Sequence, residues 1–212
     1  MYRFLSMTVI SLLVILGPHV SIQSSSRRLE RSINRMYISV LKVSNGMRWG
    51  TWGLEEMCPT GTYAAGFSLK VERNLLPLQD DTALNGIRLH CIDPSKNSAY
   101  SREHYSTVQS EVGSWGTWTN IKWCSSGFLK TFQLRVESSQ GGGDDTAANN
   151  IRFTCSENGE VLEGSGMSWG DWGDWSNTCP GKGICGIKTS IEEPQHSGDD
   201  TALNDVMMYC CK

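Results

Sequence analysis

DDTALNGIRLHC (Asp80–Cys91), DDTAANNIRFTC (Asp144–Cys155) and DDTALNDVMMYC (Asp199–Cys210) are one phrase written three times in a chain of 212 residues. In each, Thr-Ala follows a pair of Asp, an Asn stands sixth and a Cys twelfth. Past the Asn, apolar residues fall on alternate positions: Ile87, Leu89, Cys91; Ile151, Phe153, Cys155; Val206, Met208, Cys210. Period two marks a strand that buries one face and turns the other to solvent.

A second alternating run precedes each phrase: FSLKVE from Phe67, FQLRVE from Phe132 and IKTSIE from Ile187, ending at Glu72, Glu137 and Glu192. Farther upstream stand WGTWGLEEMC from Trp49, WGTWTNIKWC from Trp115 and WGDWGDWSNTC from Trp169. Clusters of Gly, Asn and Asp separate the runs, as turns require. No amphipathic helical period follows residue 36. The expected fold is therefore all-β: three antiparallel sheets, one per repeat, with their apolar faces packed into one core around an axis. The repeats cover about 37–91, 107–155 and 161–211 of a single domain spanning 37–212. The polar stretch IDPSKNSAYSREHYSTV (Ile92–Val108) reads as a loop inserted ahead of the second copy.

The even count of eight Cys fits the same frame. Cys58 and Cys91, Cys124 and Cys155, and Cys179 and Cys210 hold equivalent places, so repeat symmetry favours those three pairs. Cys185 and Cys211 remain for a fourth. Neighbouring strand residues face opposite ways, so the exchange Cys179–Cys211 with Cys185–Cys210 stays open. No CxxC is present, and a zinc site is not expected.

Arg3 followed by the apolar run Met7–Gly17 and a Ser-rich stretch reads as a signal peptide over residues 1–24, too short for a membrane span. Residues 25–36, SSRRLERSINRM from Ser25, are basic without apolar period and read as a disordered arm. No later segment is apolar enough to form a transmembrane helix. A net charge of −3 with no basic stripe argues against nucleic acid. No nucleophile elbow, HExxH pair, P-loop or EF-hand is expected, nor any cofactor or metal. The chain carries no Asn-x-Ser/Thr sequon.

The tripled Trp-Gly-x-Trp, the DDTALN phrase with its Cys, and eight Cys behind a signal peptide resemble the vitelline membrane outer layer protein family over residues 37–212. The resemblance implies a β-prism, three Greek-key sheets about a pseudo-threefold axis, here stapled by disulfides. It also implies an egg-coat or secretory-fluid protein that binds or rearranges N-acetylglucosamine oligosaccharides. Partners would be such oligosaccharides or coat glycoproteins. Ala148 stands where the other copies have Leu84 and Leu203, and Met207 where they have Arg88 and Arg152.

Features present three times are expected to be scaffold, since one asymmetric ligand cannot use three equal sites alike. The Asp pairs read as turn caps, although paired carboxylates also suit glycoside chemistry. Trp49, Trp115 and Trp169 read as a brace in the core, against the alternative of stacking on sugar rings. Glu72, Glu137 and Glu192 read as structural. Single-copy residues are the ligand-binding candidates: Trp175, Asp171 and Asp174 in WGDWGDW, with Trp123, Glu55 and Glu56. The expected function is a secreted, carbohydrate-binding structural protein of an extracellular layer. The alternative is an enzyme that transfers or hydrolyses N-acetylglucosamine oligosaccharides.

Overall fold

The computed structural model describes residues 35–72, 82–96, 102–138, 146–194 and 201–212. The signal peptide, most of the basic arm and all three Asp pairs lie outside the described residues. Arg35, counted with the arm from sequence, is tied to the body: its Nη1 donates to the carbonyls of Cys58, Pro59 and Thr62.

The central elements are three long antiparallel hairpins, one per repeat. Repeat one gives β4 (Tyr63–Val71) and β5 (Leu84–Ile92), repeat two β9 (Leu129–Val136) and β10 (Ala148–Cys155), and repeat three β13 (Gly183–Ile191) and β14 (Leu203–Cys211). The short strands complete them: β1 (Ser39–Leu41), β2 (Thr51–Trp52), β3 (Glu56–Met57), β6 (Ser106–Val108), β7 (Thr117–Trp118), β8 (Lys122–Trp123), β11 (Val161–Glu163) and β12 (Asp171–Trp172). One 3-10 turn, Pro94–Lys96, sits in the inserted stretch, whose last residues form β6 rather than loop.

The expectation of one sheet per repeat is corrected by the pairing. The sheets run β6-β5-β4-β7, β11-β10-β9-β12 and β1-β14-β13-β2, with β8 also on β4 and β3 also on β13. Each hairpin thus takes its flanking strands from the next repeat, and the last takes them from the N-terminus. Each order is a Greek key, in which a fourth strand returns to lie beside the first. In the third sheet the key runs through both chain ends, with Ser39 opposite Cys210 and Trp52 opposite Ser190. Alternation shows a sequence which face of a strand is buried but not which strand lies beside it.

The inward residues form one cluster drawn from all three sheets, including Phe67, Leu89, Phe132, Phe153, Ile187 and Met208. The rings of Phe67 and Phe132 meet Phe153 at 4.7 and 6.2 Å. Thr189 occupies a core-facing position where the other copies have Leu69 and Leu134. Its buried hydroxyl donates to the Glu111 carbonyl at 2.6 Å, so the polar atom is satisfied across the junction between sheets. Outward alternation fails in the first sheet, where Ser68 and His90 are buried and bond each other at 3.0 Å. Trp123 and Tyr105 cover them, with ring centroids 5.6 and 5.1 Å from His90.

All four favoured disulfides are formed: Cys58–Cys91, Cys124–Cys155, Cys179–Cys210 and Cys185–Cys211. The first three do more than close loops. Cys58 follows β3 of the third sheet and bonds β5 of the first. Cys124 follows β8 of the first sheet and bonds β10 of the second. Cys179 follows the β12 segment of the second sheet and bonds β14 of the third. The three bridges thus staple the sheets in a ring.

Where each long hairpin turns, the repeated phrase builds the same device. Ala83, Ala147 and Ala202 each adopt φ 47°, a left-handed conformation that L-residues adopt at a cost of roughly 1–2 kcal/mol. Each Ala carbonyl accepts from the backbone N–H of Glu72, Glu137 or Glu192 at 2.8–2.9 Å. The Thr before it donates to that Glu carboxylate, at 2.6 Å from Thr82 and 2.8 Å from Thr146. The buried Asn85, Asn149 and Asn204 then donate back to the Thr hydroxyls at 2.6–2.8 Å. The repeated Glu is therefore structural, an acceptor that fixes the turn.

Two outcomes follow. Replacing Cys124 and Cys155 together by Ser frees the first sheet from the second, so calorimetry should show one transition lowered by about 2–4 kcal/mol. A separately melting segment would contradict a shared core. Thr146→Val removes the donor to Glu137 and the acceptor of Asn149 at once. It should cost about 1–3 kcal/mol by denaturant unfolding, whereas Thr178→Val, exposed on the surface, should cost little.

Candidate functional site

The Trp-Gly-x-Trp phrase forms the turn leading into β2, β7 and β12. Gly50, Gly116 and Gly170 adopt φ 79°, 84° and 70°. A Cβ on Gly116 would stand 2.4 Å from the Val71 carbonyl carbon, and one on Gly170 2.2 Å from the Val136 oxygen. Both the conformation and the close approach to the neighbouring strand end require glycine. A side chain from that strand holds each turn. Lys70 Nζ donates to the carbonyls of Gly113 and Ser114, Arg135 Nε to that of Gly170, and Ser190 Oγ to that of Trp49.

The first Trp of each phrase is not a core brace. Trp49, Trp115 and Trp169 are 48%, 52% and 53% exposed, which overturns the expectation of burial. The left-handed glycine carries the chain sharply into the edge strand and leaves the indole before it outside. The second Trp lies on the outer face of a sheet. Arg88 stands 3.8 Å from the Trp118 ring centroid and Arg152 4.4 Å from that of Trp172. Met207 takes the equivalent place in the third sheet, so no guanidinium covers Trp52 there.

On the second sheet this outer face is enlarged. Arg152 also stands 5.3 Å from the Trp175 ring, so one guanidinium lies against two indoles. Its Nε donates to Gln133 Oε1 at 2.6 Å, and its Nη1 lies 4.0 Å from Glu163. The Gln133 amide donates to the Gly173 carbonyl, tying the strand to the loop that carries Asp174 and Trp175. Ser176 fastens the far side, its N–H donating to the Phe132 carbonyl at 2.8 Å and its Oγ accepting from the Phe132 N–H at 3.0 Å. Trp175 stays 39% exposed, and Asp171 and Asp174 are exposed beside it. Arg152 and Gln133, the residues that organise this cluster, are missed by sequence reasoning. No local pattern in the sequence marks them, because Arg88 stands at the same place in the first repeat.

The other candidates lie elsewhere. Trp123 is on β8 of the first sheet, over Gly66, where a Cβ would meet its indole at 2.7 Å. It is half-buried against His90, Tyr105 and Arg102, the last 5.3 Å from its ring. Burial, then the charge of Arg88, pushes the His90 imidazole down to about 4, so it is neutral near pH 7. Glu55 and Glu56 belong to the third sheet. Glu56 lies in β3 opposite Ile187, and Glu55 accepts from the Tyr209 phenol. Burial first, and then that bond, raise the phenol well above its usual range. The six candidates are thus spread over three sheets: Trp123 in the first, Asp171, Asp174 and Trp175 on one segment of the second, and Glu55 and Glu56 side by side in the third.

No group of three metal-ligating side chains occurs among the described residues. No described carboxylate is fully buried. The string Gly166-Met167-Ser168-Trp169-Gly170 does match the letters of an esterase nucleophile motif, contrary to expectation. It is the irregular segment between β11 and β12, without the strand-to-helix turn that motif needs. No described helix is long and apolar enough to cross a membrane.

Among solved structures, the chain resembles a lectin from Calystegia sepium ("Calsepa lectin in complex with bisected glycan") at TM-score 0.50 and 10% identity, over 84% of this chain and 99% of that one. It resembles single-chain recombinant jacalin at TM-score 0.50 and 14% identity, over 86% and 99%. At these identities the likeness establishes the β-prism architecture and nothing about a ligand. The sequence is 52% identical over 177 residues to the human protein named vitelline membrane outer layer protein 1 homolog, covering 83% of this chain and 84% of that one. The mouse protein of the same name is 48% identical over 185 residues, covering 87% and 89%. The family profile described as Vitelline membrane outer layer protein I matches residues 39–212, and the chain belongs to that family.

Proposed function

We propose that the protein is a secreted, carbohydrate-binding structural component of an extracellular layer, and that it holds N-acetylglucosamine-type oligosaccharides on the outer face of the second sheet. The observation that carries this reading is Arg152 lying against both Trp172 and Trp175, with Asp171 and Asp174 exposed alongside. An indole face suits the C–H patches of a pyranose, and carboxylates beside it accept hydrogen bonds from the hydroxyls. The guanidinium is fixed by Gln133, so the platform is organised before a ligand arrives, which lowers the entropic cost of binding. The lectin names of the structural neighbours and the coat named by the family agree with this reading.

Secretion is supported by four disulfides, which persist in oxidising compartments, and by the signal-like residues 1–24. Catalysis on the sugar draws no support from the described acids. Asp171 and Asp174 are open to water, without the burial that sets a carboxyl up as a general acid.

Trp175→Ala should weaken N-acetylglucosamine oligomer binding by about 1–2 kcal/mol in titration calorimetry, the worth of one aromatic contact. The melting temperature should stay nearly constant, because Trp175 is on the surface. Unchanged affinity in that variant, or no heat of binding from the parent protein, would remove this face as the site.

A further inference from the structure

We infer that the three Trp-Gly turns form a second binding surface: three separate indole platforms, one of them with Arg48 over its ring, that together engage an uncharged polysaccharide multivalently. The inference rests on the reading that the protein binds sugars, but it places them on residues outside the Trp175 face.

The fold explains the glycines of these turns but leaves the indoles unexplained. Each glycine is required by its left-handed φ and its contact with a neighbouring strand end. Each preceding Trp is about half exposed, at 48%, 52% and 53%. The same large apolar side chain is thus left half outside at three matching places. The turns are also held rigid, and by chemically different means: an ammonium, a guanidinium and a hydroxyl, each donating to a turn carbonyl. Three side chains of unlike type maintain one presentation of the indole. Half coverage suits a platform on which a ring stacks rather than a spike that inserts.

The charges select the occupant. Among the described residues, Arg48, Lys70, Arg88, Arg135 and Arg152 stand near these turns, against Glu72, Glu111, Glu137, Asp171 and Glu192. No cationic excess is present to draw nucleic acid or an anionic lipid surface. An uncharged, hydroxyl-rich chain pairs with an indole and tolerates the neighbouring acids. The turns lead into β2, β7 and β12 of three different sheets, so a polymer or a branched glycan that reaches several platforms gains by effective concentration.

The test uses the full mature chain with chitotriose and colloidal chitin as probes. Trp49, Trp115 and Trp169 are changed to Ala singly and together, with Trp→Phe at each position as the conservative control. Chitotriose calorimetry on the parent should give at least three sites per chain, and each single variant should lose one. Retention on chitin should fall roughly tenfold per indole removed, and the Phe variants should recover most of it. Should the triple variant fail to fold, the stoichiometry of the single variants decides. One site per chain, lost in Trp175→Ala and kept in all three turn variants, would overturn this inference while leaving the Trp175 face standing. No sugar bound by the parent would remove both. Loss of binding to phosphatidylcholine vesicles in the triple variant, with chitin retention unchanged, would show the turns to be a membrane surface and overturn the inference as well.

Discussion

The antiparallel pairing of Ser39–Leu41 with Met208–Cys210 closes the molecule, and the rest of the structure depends on it. No repeat completes a sheet from its own residues. Each long hairpin exposes two edges until strands of the following repeat cover them, and an uncovered edge is a template for aggregation. The last hairpin has no following repeat, so the first strands of the chain serve it. The three disulfide staples bind the segments that cross between sheets, at sequence separations of 31–33. Domain integrity is therefore a property of the ring and not of any one repeat.

Closure by exchange also decides what each position of the repeat must be. The turn into an exchanged strand has to pass close under a neighbouring strand end, and that clearance is what Gly50, Gly116 and Gly170 provide. The Thr-Ala turn at the same strand ends holds an Ala at φ 47° because Glu, Thr and Asn supply a closed set of bonds around it. Outward positions are freer. Arg88 and Arg152 cover a Trp in two sheets, and Met207 stands there in the third. The second sheet alone extends that pair with Trp175, so its candidate site is a local addition to a shared scaffold.

Much of this was legible in the residues. Strand faces followed from alternation at positions such as Phe132, Leu134 and Val136, all now in the core. The disulfides Cys58–Cys91 and Cys124–Cys155 followed from the symmetry of the Cys positions, whereas the adjacency of Cys210 and Cys211 left the partners of Cys179 and Cys185 open. The exchange of strands was not legible, because period two reports burial and is silent about neighbours. Burial of Ser68 and His90 was hidden for a related reason: the cover, Tyr105 and Trp123, comes from the inserted stretch and the next repeat. The exposed Trp49, Trp115 and Trp169 were misread because a large apolar residue repeated in register is assigned to a core by default. Only the backbone of the following glycine reveals that the chain turns away. Of the candidate site, Trp175 and its acids were visible as departures from the repeat. Arg152 and Gln133 were not, since they carry no unusual local pattern and matter only once two strands and a loop are brought together.

The same comparison separates what the fold demands from what it permits. At the Trp-Gly turns the anchoring residue varies between Lys70, Arg135 and Ser190, yet each reaches a turn carbonyl. Variation with retained geometry shows that the constraint acts on the backbone. The glycine meets it together with such hydrogen bonds, two of them from Lys70 and a further one from the Trp115 N–H to Asn85 Oδ1. A small polar residue ahead of the glycine would meet it equally well and would keep roughly half an indole out of water. The demands of folding at these turns thus end at the glycine, and the tryptophan beside it answers to something outside the chain.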